Sequence, residues 1–188
     1  MDKHIYNLYD FDENDKSYII KLSPDYYLDI FNNLDHYPIR KRDVNQHVIN
    51  YIEDCSSDLP LSKNIKIEIK ITRELRNPDL EERTRKGIRN YFKYILAYYS
   101  KMSKKEIHNS IVFFIIFIIL TSITFFTESL NLHINRIFLR MILEGLSIGS
   151  WVFLWEAIAG LVIKNRKNRF MIKTYKRLSD TFLYFTYN

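Results

Sequence analysis

The residues with the clearest chemical potential are a carboxyl and three glycines in an apolar stretch near the C-terminal end. Gly145, Gly149, Glu156 and Gly160 recur at spacings that place them within about 60° of one another on a helix turning 100° per residue. Glu156 lies some four residues, about 6 Å, from the centre of the 141–163 apolar run. A carboxyl at that depth in lipid is costly and marks a functional hypothesis. No Lys or Arg occurs in 110–127, which leaves the hydroxyls of Thr121, Ser122 and Thr124 as expected partners for a protonated Glu156. In an oligomer the same carboxyls would instead form a ring suited to a cation pathway. The glycines read two ways: as a groove seating the first apolar helix of the same chain, or as a subunit interface, since small-xxx-small spacing lets helices approach closely. Glu144 follows Arg140 by four residues and is expected to pair with it.

A second pair with catalytic potential is Arg42 and His47, in the run Arg42-Asp43-Val44-Asn45-Gln46-His47. The run resembles the Arg-x4-His motif of HEPN ribonucleases, in which arginine and histidine converge on an RNA phosphate. That family is an all-helical bundle, and the strand signal at 65–71 argues against it. The favoured reading of His47 is a solvated helix residue.

Other catalytic signatures are missing from the sequence. Gly87 is the only glycine outside the second apolar run, so no glycine-rich phosphate loop is possible, and the five histidines lack ligand spacing. Cys55 is the only cysteine, which excludes an intrachain disulfide. The expectation is a non-enzymatic protein with no catalytic residue, metal or cofactor.

The elements that must position these residues divide the chain. Residues 1–100 carry 16 Lys/Arg against 17 Asp/Glu, whereas 101–188 carry 12 against 5, so the formal charge of +6 arises in the second half. Those cations flank apolar runs, a pattern of membrane spans rather than of nucleic-acid binding, and no nucleic-acid partner is favoured. The run 111–126 holds no charge, and with its polar ends 110–127 is long enough for a short span; 141–163 is longer. Seven Lys/Arg lie in 85–105 and seven in 164–177, but the connector region holds only Arg136 and Arg140. The positive-inside rule therefore puts both outer flanks, and both termini, in the cytoplasm. The first fifteen residues lack a basic stretch followed by an apolar core, so no cleavable signal peptide is expected at the start.

Before the first span, Lys3–Tyr9 and Ser17–Leu22 have strand character. A helix is predicted after Ser23-Pro24-Asp25, with Tyr27, Leu28, Phe31 and Leu34 at helical spacing, and another after Asp43 with Val44, Val48, Tyr51 and Ile52 as its apolar face. Ile65, Ile67, Ile69 and Ile71 alternate with polar residues, the strongest strand signal in the chain. Asn77-Pro78-Asp79 starts a long helix, and the Ser103/Glu106 spacing predicts a bend or restart before the membrane. Asp180–Tyr187 has strand composition and needs partners from residues 1–100. The expected fold is thus an α+β cytoplasmic domain, a few-stranded sheet with helices, interrupted by a transmembrane two-helix hairpin. Its parts are 1–107, the hairpin at 110–163, and a basic helix and terminal strand at 164–188.

The block 144–155 (EGLSIGSWVFLW) resembles the second-span signature of an uncharacterised family of bacterial two-span membrane proteins. That resemblance implies an integral protein of the bacterial inner membrane and brings no activity with it. The expected partners are the lipid bilayer, a further copy of the chain and a cytoplasmic protein bound by the N-terminal domain.

Overall fold

The computed structural model describes residues 8–129 and 136–187. Its four strands, β1 (Asp10–Asp12), β2 (Ser17–Leu22), β3 (Asn64–Ile71) and β4 (Phe182–Tyr187), form one sheet in that order. β1 is antiparallel to β2, and β2, β3 and β4 are parallel. The helices are α1 (Gln46–Asp58), α2 (Pro78–Ser129), α3 (Arg136–Ala159) and α4 (Asn165–Asp180), with a π-helical segment at Gly160–Lys164. The fold is therefore α+β with two long apolar helices.

The chain forms two compact units: Met1–Tyr98 together with Met171–Asn188, and Tyr99–Phe170. In the first unit the isoleucine alternation is realised: Ile65, Ile67, Ile69 and Ile71 all point into the core, while Lys66, Glu68 and Lys70 face the other side. Ile20 and Leu183 bracket Ile67 in register, and Phe31, Ile49, Ile52, Phe92 and Tyr175 complete the core. Parallel neighbours cannot be joined by a tight turn and need a crossover of a dozen or more residues. Between β2 and β3 the crossover contains α1; between β3 and β4 it contains α2, α3 and α4.

Two local expectations change, and a third lies largely outside the described residues. The helix predicted from 25 to 34 shrinks to a 3-10 turn at Tyr27–Ile30. It stops because the next residues pair with a distant segment: Phe31 bridges Val44, Asn32 N donates to Asp43 O (2.8 Å), and Asn45 N donates to Ile30 O (2.9 Å). α1 is capped by Asn45, whose Oδ1 accepts from His47 N at 3.0 Å, rather than by Asp43. Its buried face is Ile49, Ile52, Cys55 and Ser56, leaving Tyr51 exposed. The expected strand at Lys3–Tyr9 lies mostly outside the described residues, and within them the first strand begins at Asp10.

Candidate functional site

α2 begins as its sequence demands. Asn77 Oδ1 accepts from Asp79 N (3.1 Å) and Leu80 N (3.2 Å), and acidic Asp79 and Glu81 occupy the positive first turn. The helix then runs unbroken to Ser129, so it does not restart at Ser103. Ser103 acts across the helix pair instead: its Oγ donates to Asn165 Oδ1 at 2.6 Å, in a buried position. That bond removes the capping role the spacing had indicated.

In the second unit the two helices pack antiparallel. Ser103 meets Asn165, Ser110 meets Gly160, Phe113 meets Phe153 (centroids 6.1 Å apart) and Phe117 meets Trp151 (6.4 Å), a series that rises along one helix and falls along the other. Among the less exposed positions of α3, Leu143, Leu146, Ser150, Phe153 and Ala157 lead to Gly160 at alternating steps of three and four residues. Such a repeat is the seam of a left-handed helix pair. Small residues at Ser110, Ser150, Ala157 and Gly160 allow close approach, and a Cβ on Gly160 would overlap Ser110 Oγ.

This separates the glycines expected to share a face. Gly160 belongs to the intrachain seam, whereas Gly145 and Gly149 have open space where a Cβ would stand. The physical reason is that the seam follows the 150/153/157 stripe, well to one side of Gly145. Trp151 meets the Phe117 ring of the first helix, yet both Trp151 and Trp155 are exposed.

Glu156 does not hydrogen-bond to hydroxyls of the first apolar helix. Ser122 Oγ donates to Ile118 O and Thr124 Oγ1 to Thr121 O, both at 2.7 Å within their own helix. Glu156 pairs with Lys164. Eight residues apart in a regular α-helix, the two side chains would point about 80° away from each other. The π segment Gly160–Lys164 lies between them; its wider i→i+5 turns rotate less per residue and return Lys164 toward the Glu156 face. The carboxylate is thus neutralised locally, by a cation the sequence places just outside the apolar run. Arg140 and Glu144 pair as expected, at 3.8 Å.

Arg42 and His47 do not come together within the chain. Arg42 Nε donates to Tyr37 O (3.0 Å), and its side chain borders a cavity with Arg40, Lys41, Tyr91 and Tyr94. His47 sits on the exposed first turn of α1, beside a different depression bordered by Leu22, Pro24 and Tyr51. The mixed sheet also departs from an all-helical bundle.

Comparison with family models, characterised proteins and solved structures returns no match. The functional reading therefore rests on geometry, and the most telling geometry is exposure. Two helices are long and apolar enough to cross a membrane. Their most apolar 18-residue windows have mean hydropathy of 2.5 and 1.8, yet only 6% and 17% of those windows is buried. Phe114, Ile118, Ile119, Phe125, Ile148, Trp155 and Val162 all face outward. A core helix of a soluble protein of this hydropathy would be covered, and soluble monomers rarely leave contiguous apolar patches beyond a few hundred Å².

Sequence reasoning missed Lys164 as the partner of Glu156, and it missed Arg177. The latter guanidinium fans across the C-terminal end of α1, donating to Pro60 O (2.8 Å), to Ser56 Oγ (2.6 Å) and to Ser56 O. Burial pushes its pKa below the ordinary arginine range. No local signal marks such a contact, because donor and acceptors are over a hundred residues apart.

Proposed function

We propose that this chain is a two-span integral membrane protein that anchors a small cytoplasmic binding domain. The exposed apolar surface of the paired helices carries this reading: lipid is the solvent that covers such a surface without cost. Orientation follows from Lys and Arg, with seven on each outer flank and Arg136 and Arg140 in the connector region, so both ends of the chain face the cytoplasm. The likeness of 144–155 to bacterial two-span proteins supports the inner membrane as the compartment.

An anchoring role fits better than a cation pathway. The Glu156–Lys164 pairing supplies each carboxylate with its own counter-ion, which works against a ring of free carboxylates. The open Gly145–Gly149 face remains the place where a second copy would pack, and a cytoplasmic protein is the expected partner of the sheet domain.

Expression with a reporter at either end, followed by alkaline extraction of the membrane fraction, tests the proposal. The protein should stay in the pellet, with both reporters active only on the cytoplasmic side. Release into the supernatant, or reporters on opposite sides, would refute the two-span topology.

A further inference from the structure

The cavity beside Arg42 has a volume of about 360 Å³, and three consecutive cations, Arg40, Lys41 and Arg42, line it. Tyr91 and Tyr94 from α2 form its aromatic wall. Arg40 and Lys41 make no ion pair among the described residues, and Asp43 is the single carboxylate in the lining. The cavity therefore carries uncompensated positive charge in a half of the chain that is neutral overall.

The loop presenting these cations is held rigidly. Lys41 N and Arg42 N both donate to Pro38 O, at 2.7 and 3.0 Å, closing a 3-10 turn. Asn90 Nδ2 donates to Arg40 O at 2.9 Å, tying the turn to α2. Asp35 spans the loop base, accepting from Tyr37 N (2.9 Å) and Asp43 N (2.8 Å), and these two backbone donors hold its carboxyl below the usual range. Gly87 lets the turn lie directly on the helix, since a Cβ there would stand 2.5 Å from Ile39 O. Such fixation lowers the ordering cost of binding.

We infer that this cavity binds a phosphorylated nucleoside, with the phosphate on Arg40, Lys41 and Arg42 and the base against Tyr94 and Tyr91. Guanidinium groups match phosphate oxygens in geometry and charge, and tyrosine faces accept any base by stacking. The volume lies at the lower end of small-ligand pockets, about 300–1,000 Å³, and is far more than inorganic phosphate fills. A nucleic-acid polymer fits less well, because it would need an extended basic track, whereas residues 1–100 carry 16 Lys/Arg against 17 Asp/Glu. All of these residues belong to the first compact unit, so the inference stands independently of whether the helix pair crosses a bilayer.

The test is calorimetric titration of the full chain in mild detergent with AMP, GMP and inorganic phosphate, at low and physiological salt. Two variants accompany it: the double substitution Arg40→Gln/Lys41→Gln, and Tyr94→Leu. The residues changed are exposed, so thermal midpoints near that of the parent should confirm that both variants fold. Saturable nucleotide binding, weakened about tenfold or more by each variant and by salt, is the expected result. Four outcomes would overturn the inference: no saturation at millimolar nucleotide, phosphate binding as tightly as nucleotide, both variants binding like the parent, or anion binding only in nanodiscs of anionic lipid.

Discussion

At the scale of single residues, Gly87 and Lys66 carry the sharpest consequences. A methyl group at Gly87 would meet Ile39 O at 2.5 Å and Phe31 Cε1 at 2.8 Å. Alanine gains about 1 kcal/mol of helix propensity over glycine, but overpacking against a backbone carbonyl and a buried ring costs about 1–3 kcal/mol. The clash should win, and Gly87→Ala should lower the denaturation midpoint while loosening the 39–42 turn, which chemical denaturation and amide exchange would register. Lys66 Nζ sits between Asp12 (2.8 Å) and Asp15 (2.5 Å) on the polar face of the sheet. Its hydrogen bond lowers the Asp12 carboxyl from the ordinary 3.8 to about 2. Because the folded value lies below the unfolded one, the pair stabilises the fold above about pH 4 and loses that contribution as pH falls through 2. Lys66→Met should therefore be less stable than the parent at neutral pH, with the gap closing between about pH 4 and pH 2 in melting experiments. A gap independent of pH would argue that Lys66 acts by packing alone.

At the scale of elements, β4 is tied into the sheet domain by more than its ladder. Tyr187 OH donates to Glu81 Oε1 (2.6 Å) and contacts Tyr27 OH at 2.5 Å, while Arg85 Nε donates to Leu183 O (3.2 Å) and its guanidinium lies over the Phe185 ring. Leu183 is buried opposite Ile67. Deleting 181–188 would uncover the β3 edge and the isoleucine face together, so the shortened protein should aggregate or become protease-sensitive in residues 8–98, which limited proteolysis in detergent would show. The elements also mark where sequence reading works. β3 was legible because strict alternation has one meaning when a single face is buried, and the start of α2 because Asn77-Pro78 is a local signal. The 25–34 segment was misread because Phe31 pairs with Val44, a nonlocal choice. In α1 Ile52 is buried as expected but Ile49 takes the place expected of Tyr51, since neighbouring apolar residues offer overlapping stripes and tertiary packing selects one. Glu156 was placed on the right helix with the wrong partner, because its pairing crosses a π segment that no residue pattern announced.

For the whole molecule, the apolar helix pair and the division of charge were readable from composition, which is why the α+β architecture with two long apolar helices follows from sequence. The cation-lined cavity was not readable in the same way. Its cations and tyrosines lie about fifty positions apart, and the one hint was a lone glycine outside the second apolar run. The strand order adds a consequence in time. β4 is synthesised after both apolar helices, yet its position in the sheet is beside β3, which was made before them. During translation the open edge of β3 must wait while the helix pair finds its surroundings. Completion of the sheet is thus a late event, and a nascent chain that stalls before residue 182 carries an unfinished sheet with an open β3 edge, a surface prone to wrong pairing.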